Sequence, residues 1–137
     1  MNILVIDGQG GQLGCSVIKG IYEKYPDADI TAVGTNANAT AAMVKAGAKK
    51  AATGENPVTV TVKKADVIIG PVGIVVADAM LGEITPKMAH AVGSSDAVKI
   101  LIPVNKCEIL VAGVSPVPVS ALIDDAVKKL CNIIKNK

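Results

Sequence analysis

The densest chemical signal in the chain is the run Asp7-Gly8-Gln9-Gly10-Gly11-Gln12-Leu13-Gly14. Read as G-x-G-x-x-G it fails, because the third glycine comes one residue late. Read as G-x-x-G-x-x-G, through Gly8, Gly11 and Gly14, it fits a spacing used to hold dinucleotides. One glycine makes a tight turn, one lets a phosphate approach bare backbone, and one lets a helix pack closely on a strand. A helix that starts here adds unpaired N–H groups and about half a positive charge. The chemistry implied is binding of an anion, above all a nucleotide phosphate.

Three further clusters carry the same kind of residue: Gly34-Thr35-Asn36, Gly70-Pro71-Val72-Gly73 and Pro103-Val104-Asn105. Each follows an apolar run, and in an open α/β sheet ligands sit beyond the carboxyl ends of the strands. The candidate cofactor-binding set is therefore Asp7, Gly8, Gln9, Gly10, Gly11, Gln12, Leu13, Gly14, Gly34, Thr35, Asn36, Gly70, Pro71, Val72 and Asn105. An NAD site usually has an acid at the second strand end to hold the ribose 2′-OH. Gly34-Thr35-Asn36 offers none, which leaves room for a 2′-phosphate held by Thr35 and Asn36 with Lys45 or Lys49. NADP is thus slightly favoured over NAD, with an FMN-like or other phosphorylated ligand left open. Asp7 has three roles open to it: capping N–H groups of its own turn, bonding a ribose or substrate hydroxyl, or helping to hold Mg²⁺.

Catalytic groups are scarce. Tyr22 has Pro26, not Lys, four residues on, so a Tyr-x-x-x-Lys pair is missing, and Tyr22 and Tyr25 read as helix-face packing. His90 is the only histidine, and it reads as a surface or structural residue. Glu55 and Glu83 lie in loops able to reach the same rim, although Glu83 also suits the start of a helix by dipole complementarity. Cys15, Cys107 and Cys131 are far apart, lack a C-x-x-C pair and read as reduced small hydrophobes. No metal set and no catalytic residue can be assigned, so whether the chain is an enzyme stays open.

The elements that must position these residues follow from periodicity. Met1 to Ile6 is apolar on both sides, as a strand buried between two helix layers is. Leu13, Val17, Ile18, Ile21, Tyr22 and Tyr25 fall at helical spacing before Pro26. A strand is expected over Ile30 to Val33, and a helix from Ala39 to Ala46 capped by Gly47. Val58, Val60 and Val62 alternate with Thr59, Thr61 and Lys63, which predicts an extended segment in place of a crossover helix. Val67 to Ile69 is a strand, Ile74 to Leu81 a helix, and Thr85-Pro86 opens another helix with an N-cap and a first-turn proline. Lys99 to Ile102 and Glu108 to Ala112 complete the strands. From Val119 onward Leu122, Ile123, Ala126, Val127, Leu130 and Ile134 form a final helix stripe, with Asp124/Lys128 and Asp125/Lys129 on its outer face. The fold class expected is α/β, a Rossmann-like three-layer sandwich with a mostly parallel sheet of about five or six strands.

Composition sets limits on partners. The 137 residues are half apolar and 19% charged, which suits one ordered domain over residues 1–137. Tyr22 and Tyr25 are the only aromatics, all fourteen basic residues are Lys, and the net charge is +2. Nucleic acid is an unfavourable partner, since base stacking needs rings and backbone tracking needs a basic stripe. Without Arg, a bound phosphate has to be held by backbone N–H groups, hydroxyls, amides or Lys. No signal peptide or membrane-length apolar segment is read, so the expectation is a cytoplasmic protein that binds a small phosphorylated ligand. A helix face that leaves Ala, Val and Ile exposed would favour a homodimer or a partner protein.

The strings VIDGQGG, GTNANATAAMVKAGA, ATGEN, ADVIIGPVGI, LGEITPKMA and ILIPVN together resemble a family of short bacterial proteins catalogued as domain of unknown function 3842. The glycine loop is also similar to that of the extended short-chain dehydrogenases. The resemblance implies a stand-alone Rossmann-like, nucleotide-binding-like fold with no named activity. The missing Tyr-Lys pair and the lack of room for a substrate domain argue against a conventional oxidoreductase.

Overall fold

In the computed structural model, which describes residues 1–104 and 109–137, five parallel strands form one sheet in the order β3-β2-β1-β4-β5. They are β1 (Asn2–Asp7), β2 (Asp29–Gly34), β3 (Lys50–Thr53), β4 (Val67–Pro71) and β5 (Val98–Ile102). The helices are α1 (Gln12–Lys24), α2 (Ala37–Lys45), α3 (Glu55–Thr61), α4 (Pro86–Gly93) and α5 (Val119–Lys135), with a 3₁₀ turn at Val72–Val75. The expected α/β three-layer architecture is what the chain forms, with every strand pair parallel.

The pleat of β1 divides the core. Ile3 and Val5 face α1 and α5, packing with Val17, Ile18, Ile21, Ala126, Val127 and Leu130. Leu4 and Ile6 face the other way, onto Val58, Val62, Met88 and Val92 of the α3–α4 layer. The apolar runs read in the sequence are continuous because both faces of the central strands are covered. The strand order reverses between β1 and β4, so the loops after these two strands border one crevice at the sheet's carboxyl rim.

Three expectations are corrected. The segment expected to be extended is helix α3: Val58 and Val62 are buried one turn apart, while Val60 between them is 46% exposed. Strict alternation over so few residues also places every fourth position on one helix face, and the parallel crossover from β3 to β4 needs a covering element. The strand β3, which precedes it, leaves little trace in the sequence, since Lys50-Ala51-Ala52-Thr53 is short and mostly exposed. The helix expected over Ile74 to Leu81 is absent. Ile74 and Val75 instead end the 3₁₀ turn, and the chain then closes a compact loop with Asp78, Met80 and Leu81 at positive φ, backbone that no α-helix can continue through. Residues 109–112 are not a strand either. Glu108, with Asn105 and Cys107, lies outside the described residues.

Candidate functional site

β1 delivers Asp7 and Gly8 to the rim, and α1 starts three residues after Gln9 with the side-chain-less Gly11 at its N-cap. Asp7 is buried. Its Oδ1 accepts from the Gly8 N–H at 2.8 Å and its Oδ2 from the Gly14 N–H at 2.7 Å. Of the roles open to it, the carboxylate is seen in the first: it caps its own turn and the first turn of α1, each oxygen accepting one backbone N–H. Burial pushes its pKa above 3.8; the two backbone bonds oppose that shift, and the charge of Glu83 adds to it. Among the described residues no three His, Cys, Asp or Glu side chains are grouped to hold a metal ion.

The glycines separate into two kinds. Gly11 sits at φ +75°, and a Cβ on it would lie 2.7 Å from the Ala39 backbone. Its bareness lets α2 start against the loop. A Cβ on Gly14 would lie 2.6 Å from Met43 Sδ, and one on Gly8 2.6 Å from Met80 Sδ and 2.7 Å from Thr35 Oγ1. These three serve internal packing. Gly10 alone in the run has nothing within 4 Å of such a Cβ. Open space therefore lies above Gly10, beside the Gln12 and Leu13 N–H groups, which the first turn of a helix leaves without intrahelical partners.

The second strand end joins this loop. Asn36 caps α2, its Oδ1 accepting from the Ala39 N–H at 2.9 Å, while its Nδ2 donates to the Gln9 carbonyl at 3.0 Å. Gly34 gives way to Thr40, which packs where its Cβ would stand. Lys45 and Lys49 do not join: α2 starts at the rim and runs down the sheet, so both fall at its far end, just before β3 begins. The loop after β4 supplies Pro71 and Val72, with Gly70 bare because the Ile6 carbonyl of β1 packs against it.

The residue that the sequence placed only within reach is the central one. Glu83 Oε1 accepts from the Gln9 N–H at 2.8 Å, from Asn36 Nδ2 at 2.9 Å and from Thr35 Oγ1. An acid does stand at the second strand end, supplied by the loop after β4 and not by β2 itself. Partial burial raises the Glu83 pKa, but the bonds from Thr35, Gln9 and Asn36 outweigh it and hold the carboxyl below 4.5. Glu55 also reaches the rim, where its Oε2 accepts from Thr85 Oγ1 at 2.6 Å while that hydroxyl accepts from the Met88 N–H at 3.1 Å and so caps α4. Met80, beside Gly8, carries no sequence signal. Its position follows only from the loop after β4 lying next to β1 at the switch point.

The site is thus a set of backbone and side-chain donors closed by the chain's own carboxylate. None of five surface cavities formed by the described residues is lined by the Gly8–Gly14 loop. His90 is exposed on α4, Tyr22 packs partly buried against the core, and Cys15 and Cys131 are free thiols. Among the described residues no helix is long and apolar enough to cross a membrane.

No curated protein matches the sequence. Among solved structures, a dodecameric FMN-dependent UbiX-like decarboxylase from Escherichia coli O157:H7 is similar over 97% of this chain and 94% of its own, at 11% identity and a TM-score of 0.44. The family model described as Domain of unknown function (DUF3842) matches residues 2–135, and the chain belongs to that family.

Proposed function

We propose that the protein binds a small phosphorylated ligand, a nucleotide of the NADP or NAD kind, at the Gly8–Gly14 loop, and acts as a binding or regulatory module. The observation that carries this reading is the convergence of donors on one oxyanion: the Gln9 N–H, Thr35 Oγ1 and Asn36 Nδ2 all reach a single carboxylate oxygen. Beside them, the N-cap of α1 is Gly11, which has no side chain to bond the Gln12 and Leu13 N–H groups, and the loop opens above Gly10. Donors fixed in this way suit a phosphate in a chain without Arg. With Glu83 standing at the second strand end, the preference for NADP over NAD is lost, since a 2′-phosphate at Thr35 and Asn36 would have to replace its carboxylate.

A second reading has its own support. Gly11 is required by the Ala39 backbone, and Gly8 and Gly14 pack closely against the side chains of Met80, Thr35 and Met43, so the loop also makes sense as packing alone. Thermal shifts with NAD, NADP, AMP, FMN, inorganic phosphate and adenosine separate the two. A ligand at one hundred times its Kd stabilises by about 2.7 kcal/mol. The binding reading expects a shift with phosphate-bearing compounds, none with adenosine, and its loss in Gly10→Val. Unchanged melting with every compound supports packing alone.

A further inference from the structure

This inference rests on the phosphate-binding reading and concerns how that site is kept closed. The Glu83 carboxylate occupies the donors that a ligand would use, and it comes from a different segment from any of them. Gln9 belongs to the loop after β1, Thr35 and Asn36 to the loop after β2, and Glu83 to the loop after β4. A carboxylate oxygen with three donors is solvated as a bound anion is. The start of α4 does not need Glu83, since Thr85 provides the N-cap and its hydroxyl meets Glu55.

The segment that carries Glu83 is held in place on its own account. The Asp78 N–H donates to the Ile84 carbonyl at 2.7 Å, the Ile84 N–H to the Ala79 carbonyl at 3.1 Å, and the Gly82 N–H to the Asp78 carbonyl at 3.1 Å. Ile84 is 1% exposed in the α3–α4 layer of the core. Glu83 therefore stands on a fixed backbone, and rotation about its side-chain bonds is enough to withdraw the carboxylate. No loop has to open.

We propose that Glu83 is an internal competitor: its carboxylate plugs the oxyanion site in the resting protein, and a ligand phosphate binds by replacing it on Gln9, Thr35 and Asn36. The exchange is of one anion for another on the same donors, so the plug lowers apparent affinity for every phosphate-bearing ligand without changing which part of the ligand is read. If the unplugged form makes up about 1–10% of molecules, apparent affinity is reduced by about 10- to 100-fold.

The test is calorimetric titration of AMP, inorganic phosphate and adenosine into the wild type, Glu83→Gln and Glu83→Ala. The plug requires AMP and phosphate to bind at least about tenfold tighter to both variants, with adenosine unaffected. Equal AMP affinity in all three proteins overturns the plug and leaves the site standing. Weaker binding to the variants also overturns it, and shows that Glu83 contacts the ligand. Absence of phosphate-dependent binding in every protein overturns the site and the plug together. A ligand-free control is amide exchange at Gln9, which should quicken in Glu83→Ala, where the acceptor is removed; unchanged protection there contradicts the Glu83 bond as the closure.

Discussion

Two glycines one residue apart should respond oppositely to the same methyl group. At Gly11 the backbone is left-handed, which costs an L-residue about 1–2 kcal/mol. The added Cβ would also lie 2.7 Å from both Ala39 Cα and the Ala39 carbonyl oxygen, which are backbone atoms at the start of α2 and have no rotamer to yield. Overpacking of this kind adds about 1–3 kcal/mol. Gly11→Ala should therefore lose about 2–5 kcal/mol, a large fraction of the stability of a domain this size. At Gly10 nothing lies within 4 Å and the residue is outside the left-handed region, so Gly10→Ala should change stability by no more than about 0.5 kcal/mol. Urea denaturation of the wild type and both variants, with matched m-values, reads the difference directly. Similar losses in the two variants would refute the assignment of Gly11 to packing and Gly10 to the open side. The pair also identifies the right probe of ligand binding: Gly10→Val alters the site without disturbing the fold, whereas a bulky residue at Gly11 confounds the two.

Other outcomes follow from the same contacts. Asp7→Ala leaves the Gly8 and Gly14 N–H groups without their acceptor and should cost about 2–4 kcal/mol in thermal or urea unfolding; a neutral variant contradicts its capping role. The folded Asp7 carboxyl titrates above 3.8, so its contribution to stability falls as pH rises from that value through its folded pKa. Asp7→Asn should flatten that part of the pH–stability curve, and an unaltered slope speaks against a buried charge there. Glu83 titrates below 4.5, so its contribution is present above that value and is lost as pH falls through its folded pKa; Glu83→Gln should remove this acid-side loss. Val62→Ala should cost about 2 kcal/mol and Val60→Ala about 0.5 kcal/mol or less, whereas a strand with both on one face would make the two equal. Leu110 and Leu81 are 92% and 100% exposed, and sedimentation should show self-association if the reading of a homodimer holds; a monomer at all concentrations contradicts it.

The parts legible in the sequence are those governed by local rules. Ile3 to Ile6, Val67 to Ile69 and the α5 stripe announce their elements because burial on both faces, or on one stripe, leaves a periodic trace. Thr85-Pro86 announces α4 because the cap and the first-turn proline act within one turn. The segment from Lys50 to Leu81 is harder to read because its form is set by distant partners. Val58 and Val62 are helical because α4 and the sheet face receive them, and the loop after β4 folds back on itself under Ile84. The site divides in the same way. The glycine loop and Asn36 are visible as motifs, and the capping role of Asp7 was one of three open to it. Glu83 is 48 residues from Thr35 in sequence, and only the strand order, which sets β4 beside β1, brings it to the donors. The end of β2 carries no acid of its own, and the chain supplies one there from the loop after β4.

The central claim is that the rim donors between β1 and α1 receive a phosphate. A titration of ¹⁵N-labelled protein with AMP, followed by amide spectra with adenosine as control, tests it most directly. The largest AMP-specific shifts are expected at the Gln9, Gly10, Gln12 and Leu13 amides and the Asn36 side-chain amide. Shifts that leave these unmoved, or that adenosine reproduces in full, contradict it.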